Sequence, residues 1–186
     1  MTMIQYLLLL RGINVGGKNI IKMTDLKACL ESMGLSDVTT FIQSGNVLFK
    51  SAEKDKVKLT EKIEKVLSKE FSYTARVVVI SHQELKKIVQ QAPKGFGTEP
   101  DKYRCDVIFL KAPLTSKEAM KDVSLKEGVD SAHAGKSALY FSRLDSRASQ
   151  SRLTRIIALP IYQNMTIRNW NTTSKLLALM EQKNEQ

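Results

Sequence analysis

The stretch Ile4-Gln5-Tyr6-Leu7-Leu8-Leu9-Leu10, followed directly by Arg11-Gly12, decides the fold class of this chain. The apolar run is far shorter than the roughly 20 residues that a membrane helix needs. Its composition is typical of a central strand that is buried on both faces. No charged residue precedes the run and no small-residue cleavage site follows it, so it is not a secretion signal. The protein is expected to stay in the cytoplasm.

The hydrophobic pattern after this strand predicts a helix, a hairpin, a second helix and a further strand. The predicted ranges are a helix at 24–33 with Thr24 as its cap, hairpin strands at 38–42 and 47–49, a helix at 55–71 and a strand at 76–80. The element order is therefore β-α-β-β-α-β. Two helices and four strands in this order are typical of a ferredoxin-like unit.

The same order is predicted a second time, after a linker helix at 81–92 and a segment at 93–102 that holds two prolines and two glycines. The predicted ranges are strands at 103–110, 129–133, 138–142 and 165–168, helices at 116–122 and 149–158, and a closing helix at 172–182. We therefore expect an α+β protein with two tandem ferredoxin-like βαββαβ units, a linker helix and a C-terminal helix. The predicted domains are 1–92 and 103–186, with a linker at 93–102.

The composition narrows the classes of ligand and partner. The 186 residues carry a formal charge of +10. Residues 1–92 hold 14 basic and 9 acidic residues and residues 93–186 hold 15 and 10, so each half is +5. This even excess favours polyanions such as nucleic acid, but it is also typical of a merely soluble basic surface. Cys29 and Cys105 lie in apolar patterns and have no motif spacing with His82 or His133, so no disulfide framework, metal or cofactor is predicted.

The first candidate site is the segment Arg11–Asn19, which follows the first strand. Gly12, Gly17 and Lys18 have the spacing of a phosphate-binding P-loop, but Asn19 replaces the Ser or Thr that such a loop needs for magnesium. Four residues also separate the segment from the next helix. Two interpretations remain: an anion-binding nest of backbone amides, and a tight structural loop whose asparagines bond to their own backbone.

Topology adds a second segment to this candidate site. In a ferredoxin-like unit the end of the first strand and the turn between the second and third strands lie at one edge of the sheet, so Arg11–Asn19 and Gln43–Asn46 are expected to meet. The predicted ligand-binding residues are Arg11, Gly12, Asn14, Gly16, Gly17, Lys18, Asn19, Gln43, Ser44, Gly45 and Asn46.

The second half contains another cluster, which is rich in arginine. Five arginines and one acid, Asp145, lie between Arg143 and Arg168, a local charge of +4. Arginine favours forked recognition of phosphate or carboxylate. Trp170 is a candidate for stacking on a base, or alternatively a core aromatic, and Asn171 or Thr172 is alternatively only a helix cap. The predicted ligand-binding residues here are Ser151, Arg152, Arg168, Asn169, Trp170 and Asn171.

Three strings resemble the hallmark motifs of the domain-of-unknown-function family 1697. They are Leu-Leu-Arg-Gly-Ile-Asn-Val-Gly-Gly-Lys-Asn (9–19), Ile-Gln-Ser-Gly-Asn-Val (42–47) and Met-Thr-Ile-Arg-Asn-Trp-Asn-Thr (165–172). The resemblance implies a bacterial protein with an α+β fold and no established activity or catalytic residues. The strings coincide with the two clusters described above.

Three functions are compatible with these features. The first is an anion- or phosphate-binding module that contacts nucleic acid through its basic clusters. The second is an enzyme acting on a small phosphorylated or carboxylated metabolite, with Asn14, Gln43, Ser44 and Asn46 as polar stabilisers. The third is a protein-interaction module. No nucleophile with an adjacent base is evident, so the question of catalysis stays open, as does the oligomeric state. No membrane partner is expected.

Overall fold

The structure, a computed structural model, describes residues 2–183 of the chain. It divides into two compact units between Leu85 and Lys86, here called unit 1 and unit 2. Each unit contains one four-stranded antiparallel sheet and helices, which confirms the predicted α+β class. Turns occupy much of residues 93–102, where the linker is predicted. The predicted domain bounds at residues 1 and 184–186 lie outside the described residues.

Unit 1 is built around the apolar strand at the start of the chain. Its elements are β1 (Ile4–Leu10), α1 (Met23–Ser32), β2 (Ser36–Phe41), β3 (Asn46–Ser51), α2 (Lys56–Glu70) and β4 (Val77–Ser81). The strand order is β2-β3-β1-β4, and every neighbouring pair is antiparallel. The register pairs Leu9 with Asn46 and Leu10 with Val77. The end of β1 therefore lies beside the start of β3 and the start of β4.

The core of unit 1 lies on one face of this sheet. Tyr6, Leu8 and Leu10 of β1 are almost fully buried and pack with α1 and α2 residues such as Leu30 and Ile63. Burying side chains of this size stabilises a fold by about 1.5–3 kcal/mol each. The intervening β1 residues are buried as well. β1, which is apolar at six of its seven positions, is thus buried on both faces, as its composition predicts.

Unit 2 repeats the strand order of unit 1. Helix α3 (His82–Gln90) spans the division and is followed by β5 (Tyr103–Leu110), α4 (Ser116–Lys121), β6 (Asp130–Ala134), β7 (Ala138–Leu144), β8 (Met165–Asn169) and α5 (Trp170–Gln182). The sheet order is β6-β7-β5-β8. The register pairs Tyr103 with Leu144 and Asp106 with Asn169. The start of β5 therefore lies beside the ends of β7 and β8.

The prediction of a helix at 149–158 is wrong. This region consists of three short 3-10 segments, Asp145–Gln150, Leu153–Ala158 and Pro160–Asn164. Ser151 separates the first two segments, because its backbone is extended (φ −59°, ψ 142°) and its hydroxyl accepts from the Leu153 N–H at 3.3 Å. Serine competes in this way with helical hydrogen bonding. Leu153 and Ile156 are the buried residues of their segment, too few for a long amphipathic helix.

The N-termini of the helices differ in how they are capped. Asp55 caps α2, Thr115 and Glu118 form a capping box on α4, and Asn169 caps α5 by accepting from the Asn171 N–H at 3.0 Å. The prediction of Asn171 or Thr172 as the α5 cap is therefore wrong. The prediction of Thr24 as the α1 cap is also wrong: α1 begins at Met23. The residue in its cap position is Lys22, which makes no side-chain capping bond.

Within residues 2–183, no helix is both long enough and apolar enough to cross a membrane. Cys29 and Cys105 are free thiols and both are buried, as their apolar sequence patterns predict. Over the same described range, no three His, Cys, Asp or Glu side chains are grouped so that they could hold a metal ion.

Candidate functional site

The loop after β1 has an unusual backbone. Five of its residues have a positive φ, and they are Gly12 (70°), Asn14 (54°), Gly16 (59°), Gly17 (73°) and Asn19 (48°). Val15 and Lys18 form an isolated bridge, in which the Lys18 N–H donates to the Val15 carbonyl at 3.1 Å. Asn19 closes the loop by donating from Nδ2 to the Gly12 carbonyl at 2.9 Å. The loop is therefore defined by its own hydrogen bonds.

Asn14 joins this loop to the turn before β3. Its Nδ2 donates to the Gln43 carbonyl at 2.9 Å and to the Ile21 carbonyl at 3.0 Å, while its Oδ1 accepts from the Ile21 N–H at 2.8 Å. The loop and the turn therefore meet, as the topology predicts. Both amide hydrogens of Asn14 are used inside the protein, so this side chain positions the two segments.

The turn itself is fixed by Gly45 and Asn46. Asn46 is fully buried, and its Nδ2 donates to the Phe41 carbonyl at 3.1 Å and to Ser44 Oγ at 2.9 Å. The Gly45 carbonyl accepts from the Leu10 N–H at 2.8 Å. A Cβ at Gly45 would lie 2.8 Å from Leu10 Cβ and 2.9 Å from Ile13 Cδ1, closer than real Cβ atoms come. Only glycine lets the turn approach the end of β1 this closely.

Ile42 is strained within the same turn. It has a φ of 50°, a left-handed conformation that is a genuine outlier for a β-branched residue. Its side chain is 51% exposed, so burial does not compensate for the strain. Strained residues of this kind are concentrated at functional sites.

A depression of about 540 Å³ opens beside the loop and the turn. Its lining residues come from the loop, the turn and the start of α1, and they are Asn14, Gly17, Ile20, Ile21, Lys22, Met23, Thr24 and Gln43. Because α1 has no side-chain cap, the N–H groups of its first turn at Met23 and Thr24 have no partner within the helix. The positive end of the helix dipole thus borders the depression.

The charge around the depression is positive. Arg11, Lys18 and Lys22 lie in a segment, 11–24, that contains no acid, and Asp25 follows it in the first turn of α1. Lys18 and Lys22 are exposed. Arg76 adds a fourth positive charge at this edge, since its carbonyl accepts from the Arg11 N–H at 3.1 Å. Within residues 2–183, the N–H groups of Gly12, Gly16 and Gly17 donate no backbone hydrogen bond. We call the loop Arg11–Asn19, the turn Gln43–Asn46 and the start of α1, with the depression beside them, the unit 1 edge.

The second cluster lies at the start of β5 and forms the unit 2 edge, with a depression of about 220 Å³. Its lining residues are Gly97, Pro100, Tyr103, Arg104, Cys105, Asp145, Asn169, Trp170 and Asn171. Trp170 is half-buried and meets the Phe96 ring edge-on, with 5.1 Å between ring centroids. A Cβ at Gly97 would collide with Trp170 Cδ1 and Nε1. The indole is therefore packed on its own unit while one part lines the depression.

The polar groups of Asn169 and Arg168 are engaged within unit 2. Asn169 caps α5 with Oδ1 and donates from Nδ2 to the Cys105 carbonyl at 3.2 Å. Arg168 donates from Nη1 to Thr166 Oγ1 at 3.1 Å and to the Ile167 carbonyl at 2.9 Å. Burial lowers the pKa of the largely buried Arg168 guanidinium to about 10, which still leaves it charged at pH 7.

Carboxylates lie close to the arginines of unit 2. Asp130 is the cross-strand partner of Arg143, and its Oδ2 accepts from the Arg152 N–H at 2.8 Å. Arg104 pairs with Asp106 on its own strand, with 3.0 Å between Nε and Oδ2. Asp130 of β6 thus places one acid beside the segment 143–168, whereas Asp106 of β5 is paired with an arginine outside that segment. Ser151 uses its hydroxyl locally, on the Leu153 N–H.

Several residues at the two edges were not among the predicted site residues. At the unit 1 edge these are Ile20, Ile21, Lys22, Met23 and Thr24, and at the unit 2 edge they include Gly97, Tyr103 and Arg104. Lys22 carries the clearest signal that sequence reasoning could have used, because a lysine directly before a helix leaves that helix without an ordinary cap. Tyr103 and Arg104 begin a strand and carry no motif.

A model of a protein family matches most of the chain. The family is described as a protein of unknown function (DUF1697), and the match covers residues 3–140. The chain belongs to this family. The match includes both segments of the unit 1 edge and ends before the segment 165–172, so the family model covers the unit 2 edge only in part.

Among solved structures, the chain is similar to a conserved bacterial protein from Streptococcus pneumoniae. The two share 27% sequence identity with a TM-score of 0.80, over 95% of this chain and 98% of the other. No curated protein matches the chain.

Proposed function

We propose that this protein binds the phosphate groups of a ligand at the unit 1 edge, and that nucleic acid is the main class of ligand. The bacterial origin and cytoplasmic location expected from the sequence are part of this proposal. So is a ferredoxin-like description of both units, which the shared strand order supports.

The observation that carries the proposal is the uncapped start of α1 beside a depression whose lining residues include Lys22 and no acid. Helix N-termini and glycine-rich loops bind phosphate because their N–H groups and the helix dipole favour negative charge. Lys18 and Lys22 add mobile cations, which contact phosphate as point charges. Asn14 and Asn46 hold the loop and the turn in place in this scheme, while the backbone and the cations contact the ligand.

Nucleic acid is favoured over a simple phosphate because positive charge is also spread over the whole chain, at +10. A polyanion that lies along such a surface gains from releasing its counterions, and its affinity falls steeply with salt. The unit 2 edge, with Arg152, Arg168, Trp170 and Asn171, contributes a weaker second contact in this scheme, since its acids offset part of its charge.

Fluorescence anisotropy with a labelled 20-nucleotide single strand, across a salt series, tests the proposal. The double variant Lys18→Ala/Lys22→Ala is expected to bind at least about tenfold more weakly, with a salt slope less steep by about 1.4, because each phosphate contact on a single strand contributes about 0.7. The control is Lys54→Ala/Lys58→Ala, which removes two exposed lysines that follow β3, whose last residue pairs with Ile4 at the end of β1 far from the loop. Equal affinity and slope in the two double variants would refute the proposal.

An enzyme that acts on a small phosphorylated or carboxylated metabolite is the second candidate. The size of the larger depression favours it, because small-molecule sites usually measure about 300–1,000 Å³. A thermal-shift screen separates the two functions. A single metabolite that raises the unfolding temperature strongly, with no binding of oligonucleotides, would favour the enzyme, since only a ligand bound well above its Kd stabilises the native state substantially.

A further inference from the structure

The rim of the unit 1 edge is apolar as well as basic. Val15, Ile20 and Ile42 are 66%, 76% and 51% exposed, and all three lie on the loop or the turn of this edge. Single exposed aliphatic residues are ordinary on protein surfaces. Here Ile20 lines the depression, Val15 and Ile42 each adjoin a lining residue in the chain, and Ile42 is held in a strained conformation. A site for phosphate alone has no use for them.

The depression has two chemically distinct parts. Ile20, Ile21 and Met23 give it an apolar wall, while Lys22 and the start of α1 give it a positive border. A ligand that fits both parts has a flat, weakly polar body a short distance from a phosphate. A nucleotide has this construction, because its base lies one sugar away from its phosphate. Flipped or unpaired bases are held between apolar or aromatic side chains in many enzymes and binding modules.

Gln43 supplies a group that can contact the edge of a base. Its side chain is exposed and lines the depression, while its backbone carbonyl is occupied by Asn14. A glutamine amide presents one donor group and one acceptor side by side, which matches the paired acceptor and donor on adenine. Gln43 thus gives the depression a polar group with the chemistry for base recognition.

We infer that the unit 1 edge holds one unpaired nucleobase against Ile20 and Met23, with the attached phosphate at Lys22 and the start of α1. This inference rests on the proposed function and makes it more specific, since it selects single strands and excludes the base-paired interior of a duplex. A base that remains stacked and paired cannot enter the depression.

The test compares three labelled ligands at one salt concentration: a 12-nucleotide adenine-rich single strand, the same strand in a duplex, and the same strand with abasic sites at its central positions. The intact single strand is expected to bind at least about tenfold more tightly than the other two. Ile20→Ser is expected to lower the single-strand affinity to that of the abasic strand and to leave duplex binding unchanged. Because Ile20 is largely exposed, this variant is expected to fold normally.

Ile157→Ser is the matched control, because it removes an exposed isoleucine (48%) from unit 2. It should leave all three affinities unchanged. Gln43→Ala sharpens the test, since it should reduce the preference for adenine over thymine strands by about threefold or more.

The outcomes are distinguishable. If all three ligands bind equally well and Ile20→Ser changes nothing, the base contact is refuted while phosphate binding stands. If none of the ligands binds, the proposed function fails and the base contact fails with it. If Ile157→Ser weakens binding as much as Ile20→Ser does, the base contact is assigned to the wrong surface.

Discussion

The two edges lie at opposite ends of equivalent strands and differ in their charge balance. The unit 1 edge is at the end of β1, whereas the unit 2 edge is at the start of β5. At the unit 1 edge the cations come from a segment, 11–24, without an acid. At the unit 2 edge the register places Asp130 opposite Arg143, and Arg104 pairs with Asp106. A charge count along one segment therefore overestimates local charge wherever neighbouring strands supply acids.

The edges also differ in what fixes them. Hydrogen bonds from asparagine side chains hold the unit 1 edge, with Asn14 spanning from the loop to the turn. Ring packing dominates the unit 2 edge, where Trp170 occupies the space that a glycine at position 97 leaves open. Substitutions at the unit 1 edge should consequently act mainly through lost hydrogen bonds, and substitutions at the unit 2 edge mainly through steric packing.

The largest effect is expected for Gly97→Ala, compared with Gly95→Ala as the control. Both glycines have a similar positive φ, 76° and 79°, so both variants share the backbone strain. Only the Cβ at position 97 collides with Trp170, whereas the Cβ at position 95 meets nothing closer than Thr98 Oγ1 at 3.8 Å. Gly97→Ala should lose about 1–3 kcal/mol more unfolding free energy than Gly95→Ala. Urea unfolding followed by the fluorescence of the single tryptophan measures it. Equal losses would show that Trp170 moves aside freely.

A smaller effect is expected for Asn14→Ala, compared with Asn19→Ala. Both asparagines have a positive φ near 50°, so the backbone penalty is again shared. Asn14 makes three side-chain hydrogen bonds, including the one to the turn, whereas Asn19 donates one to Gly12. Asn14→Ala should cost about 1–2 kcal/mol more in unfolding free energy, at about 0.5–1.5 kcal/mol per hydrogen bond. It should also weaken oligonucleotide binding, because the loop and the turn separate. If Asn19→Ala proves the more damaging variant, Asn14 does not hold the two segments together.

The smallest effect is expected for the arginines of unit 2. The double variant Arg152→Ala/Arg155→Ala should weaken oligonucleotide binding by less than about threefold, since Asp130 and its neighbours already offset part of the charge there. Lys18→Ala/Lys22→Ala, measured in the same salt series, provides the comparison. A larger loss from the arginine pair would reverse the ranking of the two edges.

Much of the fold could be predicted because its elements carry clean periodic patterns. The continuous apolar run of β1 and the single-sided stripe of α2 leave few alternatives. The helix predicted at 149–158 failed because Ser151 bonds to nearby backbone, a local competition that a periodicity argument does not weigh. The prediction of Thr24 as the α1 cap rests on residue type alone. In the structure Thr24 lies inside the helix, and its hydroxyl donates to the Asp25 carboxylate at 3.3 Å.

The candidate site could be predicted only in part, for a physical reason. Topology was enough to bring Arg11–Asn19 and Gln43–Asn46 together, because strand order fixes which loops share an edge. Pattern reasoning treated Asn14 and Asn46 as possible ligand contacts, and only the hydrogen-bond geometry shows that their amide hydrogens are already used. The apolar wall at Ile20 and Met23 depends on how the chain enters α1, which no local sequence signal specifies.

The left-handed isoleucine in the turn before β3 also matters for protein engineering. A glycine at that position would relieve strain of about 1–3 kcal/mol, so selection for thermal stability alone would replace Ile42 early. Such a variant would unfold at a higher temperature and lose one exposed apolar side chain from the turn, next to Gln43. Any stabilised derivative of this protein should therefore be checked for oligonucleotide binding before it replaces the natural chain in an assay.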